Sequence, residues 1–320
     1  MFDLTRRRLI AASLATGIAA PAVARATQER EVLRVWPVEA PGGERVTVVE
    51  EVIERPLSPG GLRDRIVKGV RRPTLTVFEP AKPNGASLLM TPGGGYKWVV
   101  MDKEGYECAE RFAAAGVTVY VANYRLPGDG WAAGPAVALQ DAQRSLRLIR
   151  VLASAKGLDP ERVGVMGFSA GGHVAGCLSL MWDRDVYSPE DGIDELSARP
   201  DFSVLVYPVA TLHQRFAHPG SRERMFGPSP TAEQGRAWSL EENARPDAPP
   251  TFLLHAADDA AVPVENSLML EAALRAAKVP TELHVFEEGG HGFGLRFARG
   301  KPVEAWPDLV LAWGRRKGFV

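Results

Sequence analysis

Two patterns of apolar and polar positions divide the chain. Between residues 31 and 80 they alternate, as in Val46-Thr47-Val48-Val49 and Leu75-Thr76-Val77-Phe78. That is the period of half-buried antiparallel strands, here split by the turn-forming Pro56-Leu57-Ser58-Pro59-Gly60-Gly61. From residue 86 onward, short apolar runs at 87–90, 117–122, 163–166, 203–207, 251–255 and 282–286 are separated by longer amphipathic stretches. Buried runs alternating with helices predict a mostly parallel sheet with helices on both faces, an α/β architecture. The spacing predicts a helix over 135–156, with Leu139, Ala142, Leu146, Ile149 and Ala153 on one face. Arg144, Arg147 and Arg150 fall off that stripe, and Gly157 and Asp159-Pro160 end the helix. A last helix over 303–317 carries Trp306, Leu309, Val310 and Trp313 at helical spacing. The stretch 183–250 is irregular and proline-rich around one strand, which makes it the expected covering of a site. No internal repeat or low-complexity linker interrupts the chain, so residues 27–320 are expected to form one domain.

Residues 1–26 read differently. A basic Thr5-Arg6-Arg7-Arg8-Leu9-Ile10 head, a mildly apolar middle and an Ala24-Arg25-Ala26 end have the three parts of an export signal of twin-arginine type. An exported, periplasmic or secreted protein is therefore expected. Removing a segment with four arginines and one aspartate would leave 294 residues and shift the net charge from −1 to −4. With 45% hydrophobic and 24% charged residues, the composition excludes disorder. The absence of a basic surplus argues against nucleic acid and favours a neutral ligand. No apolar run is long enough to cross a bilayer, so no membrane association is expected after cleavage. Cys108 and Cys177 match no zinc spacing and are expected to be small core residues of helices.

The chemistry concentrates in three glycine-rich places. Gly167-Phe168-Ser169-Ala170-Gly171 follows a predicted strand and opens a helix of small residues, the strand–turn–helix setting of a nucleophile elbow. A serine hydroxyl needs a base and an orienting acid to act as nucleophile. The chain supplies them in the order Ser, Asp, His. Asp258 and Asp259 end the strand at 251–255, and His291 lies in the loop Gly289-Gly290-His291-Gly292 after the strand at 282–286. Both fall at the sheet edge where open α/β folds place their sites. Adjacent aspartates cannot both face one imidazole, and the spacing Asp259-Ala260-Ala261-Val262-Pro263 favours Asp259. The remaining five histidines, among them His173, His218 and His255, read as structural or exposed. Pro92-Gly93-Gly94-Gly95-Tyr96 follows the first buried run, where amides of Gly94, Gly95 and Ala170 would form an oxyanion hole. No metal motif, phosphate loop or credible dinucleotide loop is present, so no metal or cofactor is expected.

With these motifs, Asn123-Tyr124-Arg125-Leu126-Pro127, Asp141-Ala142-Gln143-Arg144 and Gly289-Gly290-His291-Gly292-Phe293-Gly294, the chain resembles the α/β-hydrolase superfamily. More narrowly it resembles the bacterial carbohydrate-esterase branch that includes acetylxylan and feruloyl esterases. The resemblance implies an α/β-hydrolase fold and a serine esterase acting on short acyl esters of plant-wall carbohydrate. Tyr96, Trp98, Trp131 and Trp238 are then candidate sugar platforms. Two other expectations compete: a peptidase of prolyl-oligopeptidase type, which has too little chain for its propeller here, and a non-catalytic binder on the same fold. The sequence says nothing of oligomeric state.

Overall fold

The six apolar runs lie side by side as parallel strands. The computed structural model describes residues 30–56, 61–213 and 215–320. The expected export signal, residues 1–26, lies outside the described residues, as does most of the turn at 56–61. Among the described residues the strands are β1 (Val32–Arg34), β2 (Glu51–Glu54), β3 (Arg65–Lys68), β4 (Thr74–Phe78), β5 (Ser87–Thr91), β6 (Val99–Val100), β7 (Thr118–Asn123), β8 (Val163–Phe168), β9 (Ser203–Val206), β10 (Thr251–Ala256) and β11 (Thr281–Phe286). The helices are α1 (Glu107–Ala113), α2 (Val137–Ala155), α3 (Ser169–Leu180), α4 (Pro219–Phe226), α5 (Ala232–Trp238), α6 (Glu265–Ala276) and α7 (Trp306–Lys317).

The main sheet runs β1-β4-β7-β5-β8-β9-β10-β11. Its last six members are parallel, while β1 and β4 extend it antiparallel. Strand β8 is buried along its whole length between β5 and β9. Its two faces are covered by different helices. A Cβ on Gly167 would meet Ala175 of α3 at 2.7 Å, whereas Phe168 on the other face packs on Trp306 of α7, ring centroids 6.0 Å apart. Helices on both faces follow from that alternation. Strand β11 is only half-buried because it is an edge, so the run at 282–286 is less enclosed than its composition suggests.

Two expectations change. The alternating Val46–Val49 is not a strand: Val46 turns into the core through a bond from its N–H to Gly43 O at 3.1 Å, and Val49 points to solvent. The ladder begins at Glu51, and β2 and β3 form a separate small antiparallel sheet with β6. The second change concerns α2. Its apolar stripe is buried as expected, but Arg144 and Arg150 are buried too. They are covered by the irregular stretch after residue 183. Arg144 grips Asp191 through both terminal nitrogens at 2.6 and 2.7 Å and meets Asp194 at 2.9 Å, and Arg150 pairs with Asp201 at 3.0 Å. Bidentate guanidinium pairs of this kind hold direction as well as charge. The same stretch adds the short helices α4 and α5. Both cysteines sit in helices, buried and free, as expected.

A buried histidine links three of these parts. Tyr96 Oη donates to His173 Nδ1 at 2.7 Å, and His173 Nε2 donates to the carbonyl of Trp238 at 2.7 Å. Burial lowers the imidazole pKa to about 4, only partly opposed by the Trp238 carbonyl. Below about 6.5 the unfolded chain's imidazole takes up a proton that the folded one refuses until about 4. Stability contributed by the neutral ring is therefore full above that window and lost as pH falls through it. Urea unfolding near pH 7 and near pH 5 should show a steeper acid loss for the wild type than for His173→Gln. Identical pH dependence in the two proteins would contradict this.

Candidate active site

Ser169 opens α3 at the carboxyl end of β8. The turn is so tight that Ser169 adopts φ +53°, a left-handed conformation that L-residues other than glycine rarely hold. It is tolerated because the neighbours over-determine it. A Cβ on Gly171 would lie 2.1 Å from Thr91 O, so only glycine lets the elbow close on β5. Thr91 Oγ1 donates to Gly171 O at 2.8 Å, and Val209 N donates to Ser169 O at 3.0 Å.

The strain aims the Ser169 hydroxyl at His291 Nε2, 2.8 Å away. His291 Nδ1 is 2.7 Å from Asp259 Oδ2. The network assigns the roles: Nδ1–H donates to the carboxylate, and Nε2 accepts from the serine hydroxyl. Asp259 Oδ1 accepts the amides of Ala261 and Val262, each at 2.9 Å, which locks the carboxylate orientation. Buried His255 also reaches Asp259 Oδ2 at 3.3 Å, while its ring is fixed by Ser267 and Val262 O. Burial pushes the Asp259 pKa up, but the bonds from His255 and His291, the charge of His291 and the Val262 amide overcome it. The net result lies below the usual carboxylate range. Asp258 turns away from the imidazole, and its Oδ1 accepts the amides of Gly289 and Gly290 at 2.9 and 2.8 Å. One aspartate faces the imidazole, and the other shapes the loop that carries it.

The glycine loop after β5 lies beside Ser169. Gly94 has φ +134°, and a Cβ there would stand 2.1 Å from Trp98 O, so the close approach demands glycine. The Gly93 amide is taken by Glu104 Oε2 at 2.9 Å. Gly94 and Gly95 line the cleft, and Ala170, second in α3, has an amide with no intrahelical partner. Three main-chain donors near one hydroxyl can receive an oxyanion. The loop leaves along β6, whose pairing with β3 anchors its far end.

The cleft has a volume of about 410 Å³ and is lined by Ser169, His291, Gly94, Gly95, Trp98 and His218, among others. Of the four aromatic candidates it therefore contains Trp98. Tyr96 is buried and turned to His173; Trp131 is buried under the Arg125 guanidinium and faces a separate cleft with Glu44 and Glu50; Trp238 stacks with Arg184. Tyr96 is enclosed, Trp131 opens on the other cleft and half-buried Trp238 lies outside the lining around Ser169. His218, expected to be structural or exposed, lines the cleft while its Nδ1 caps α4 through Ser221. Burial and the nearby charge of His291 lower its pKa, Asp259 raising it less. Glu104, buried with both oxygens engaged, was not foreseeable, because a lone glutamate before α1 carries no motif.

The relay predicts a reactive Ser169. A fluorophosphonate probe should label it, and Asp259→Asn should slow labelling by about 10³–10⁴-fold through the wrong imidazole tautomer. Asp258→Asn should have a much smaller effect, and equal losses would refute the division of labour. Glu104→Gln presents an amide to two donors, leaving one buried group unpaired. It should destabilise by about 1–3 kcal/mol in urea unfolding.

A family model described as the α/β-hydrolase fold matches residues 88–295. An acetylxylan esterase of Xylanibacter ruminicola is 32% identical over 226 residues, covering 69% of this chain and 44% of that protein. Endo-1,4-beta-xylanase B of Butyrivibrio fibrisolvens is 36% identical over 205 residues, 64% of this chain and 32% of that protein. The chain thus spans less than half the length of these curated relatives. Among solved structures, the acetyl ester-xyloside bifunctional hydrolase of Caldicellulosiruptor lactoaceticus superposes with TM-score 0.72 at 32% identity, covering 91% of this chain and 97% of that one. A thermophilic esterase of Thermogutta terrifontis gives TM-score 0.64 at 26% identity, over 85% and 95%. With the family match running from β5 past His291, the chain belongs to the α/β-hydrolase family and groups with its carbohydrate-esterase branch.

Proposed function

We propose that the protein is an exported serine carboxylesterase that removes short, acetyl-type acyl groups from plant-wall carbohydrate such as acetylated xylan. The observation that carries the chemistry is the unbroken relay Ser169 Oγ–His291 Nε2, His291 Nδ1–Asp259 Oδ2, at 2.8 and 2.7 Å. His291 takes the Ser169 proton as Oγ attacks the ester carbonyl, and Asp259 holds the tautomer and balances the imidazolium. The oxyanion of the tetrahedral intermediate is received by the amides of Gly94, Gly95 and Ala170. Collapse returns the proton from His291 to the leaving alcohol. Water activated by the same imidazole then attacks the acyl-enzyme and releases the acid.

Two comparisons support the substrate class. The Caldicellulosiruptor structure is named an acetyl ester-xyloside hydrolase, and the Thermogutta esterase was solved with propionate and with butyrate bound. Export rests on the basic head and Ala-Arg-Ala end of residues 1–26, and sequencing the mature amino terminus from a periplasmic fraction tests it.

Ser169→Ala should abolish hydrolysis of p-nitrophenyl acetate; full residual activity would sink the mechanism. Across acetyl, feruloyl and peptide substrates, acetylated xylo-oligosaccharides should give the highest kcat/KM. Preference for a peptide would support the peptidase reading instead. Gly94→Ala should lower kcat by about 10²–10³-fold, because a Cβ there displaces an oxyanion donor.

A further inference from the structure

The charges that line the cleft bear on what can bind there. Four cations line it: Arg55, Lys97, Lys103 and Arg224. Arg55 is satisfied by Asp64 at 2.6 Å. Lys97, Lys103 and Arg224 form no ion pair among the described residues. Two carboxylates, Glu104 and Glu223, share the lining with them. Glu104 is buried with its oxygens turned to Gly93 N and Tyr207 Oη, and Glu223 is exposed. Asp129 senses Arg224 from outside the lining without bonding to it. His218 is held towards its neutral form. The lining thus holds four cations against two carboxylates, a positive surplus on a protein whose net charge is −1.

The position of Lys103 says which half of an ester meets that charge. Its Nζ stands 2.9 Å from where a Cβ on Gly292 would be, against the residue that follows His291, and it lies 5.5 Å from the Phe297 ring centroid. His291 hands its proton to the leaving alcohol, so the ammonium sits on the alcohol side of the scissile bond. Lys97 rests over the Trp98 ring at 4.6 Å, a cation and an aromatic side by side just after the glycine loop. Two ammonium groups and one guanidinium around the cleft suit a single carboxylate on a hydroxyl-rich body.

We propose that Lys103, together with Lys97 and Arg224, forms a carboxylate-binding subsite, and that the preferred substrate is an acetyl ester whose alcohol is an acidic sugar, a uronate. This rests on the esterase reading above and replaces the neutral ligand suggested by overall charge. The test compares kcat/KM for methyl glucuronoside acetate with that for methyl glucoside acetate, two esters that differ in the carboxylate. The wild type should favour the uronate about tenfold at about 10 mM salt, the preference fading towards one near about 1 M as the field is screened. Lys103→Gln, alone and with Lys97→Gln and Arg224→Gln, should bring the ratio close to one. A ratio within one preparation does not depend on how much of it is folded. A wild-type ratio of one at low salt, or a ratio unchanged in the triple variant, overturns the subsite. Cleavage of p-nitrophenyl acetate but of neither sugar overturns the acidic-sugar assignment and leaves the serine hydrolase standing. Failure on all three esters takes down the esterase reading itself.

Discussion

One buried carboxylate sets the geometry on which the site depends. Glu104 accepts the Gly93 amide on Oε2 and the Tyr207 hydroxyl on Oε1, at 2.9 and 3.1 Å, and Tyr207 Oη in turn accepts the Gly294 amide at 3.2 Å. These bonds join the glycine loop after β5, the end of β9 and the loop that carries His291. Each loop alone could take many conformations, because glycine-rich backbone is permissive. Tied through a single buried acceptor, they hold one arrangement. Tyr207 adds ring contacts to His291 and Phe293, with centroids 5.2 and 4.5 Å away, so the imidazole is supported from behind. Preorganisation of this kind is what an oxyanion site requires, since donors that must reorient during the reaction contribute less.

The stretch after β8 serves the site by being fastened down. Arg144 and Arg150 secure its first part to α2 through Asp191, Asp194 and Asp201. Asn266 secures its middle by accepting the amides of Ala210 and Thr211 at 2.9 and 3.1 Å. His173 holds Trp238 and Tyr96 at once. The strained Ser169 backbone persists because these fixed neighbours leave it no alternative. A buried pair elsewhere plays a similar part: Arg125 and Asp141, both almost wholly enclosed, meet at 2.7 Å and recruit the Trp36 indole N–H. Such pairs are weak evidence for stability, but breaking one leaves a bare charge in the core.

Net charge is a poor guide to local field. The formal −1 of the chain suggests a neutral ligand, yet the cleft gathers four cations against two carboxylates, which act on a substrate at close range, while charges elsewhere on the surface are screened. The sum over residues carries no information about which of them face the same space.

Much of the fold was legible in the sequence because period and burial are local consequences of residue type. The six apolar runs became the six parallel strands, the stripe of α2 faces the core, and the elbow, acid and base appear in chain order at strand ends. The sequence also favoured Asp259 by its spacing to Val262-Pro263. Only the folded chain turned Asp259 towards His291 and Asp258 towards the Gly289 and Gly290 amides, since that choice depends on how a loop crosses to a neighbouring strand. The same holds for Glu104, His218 and the cationic rim, whose partners lie far away in the chain. Of the aromatic residues, Trp98 reached the cleft, while Tyr96, Trp131 and Trp238 were claimed by His173, Arg125 and Arg184. Sequence determined which side chains could do chemistry, because that is a property of each residue and its near neighbours. Tertiary structure decided which of them share a cavity, because that is settled by long-range packing and by the need of every buried polar group for a partner.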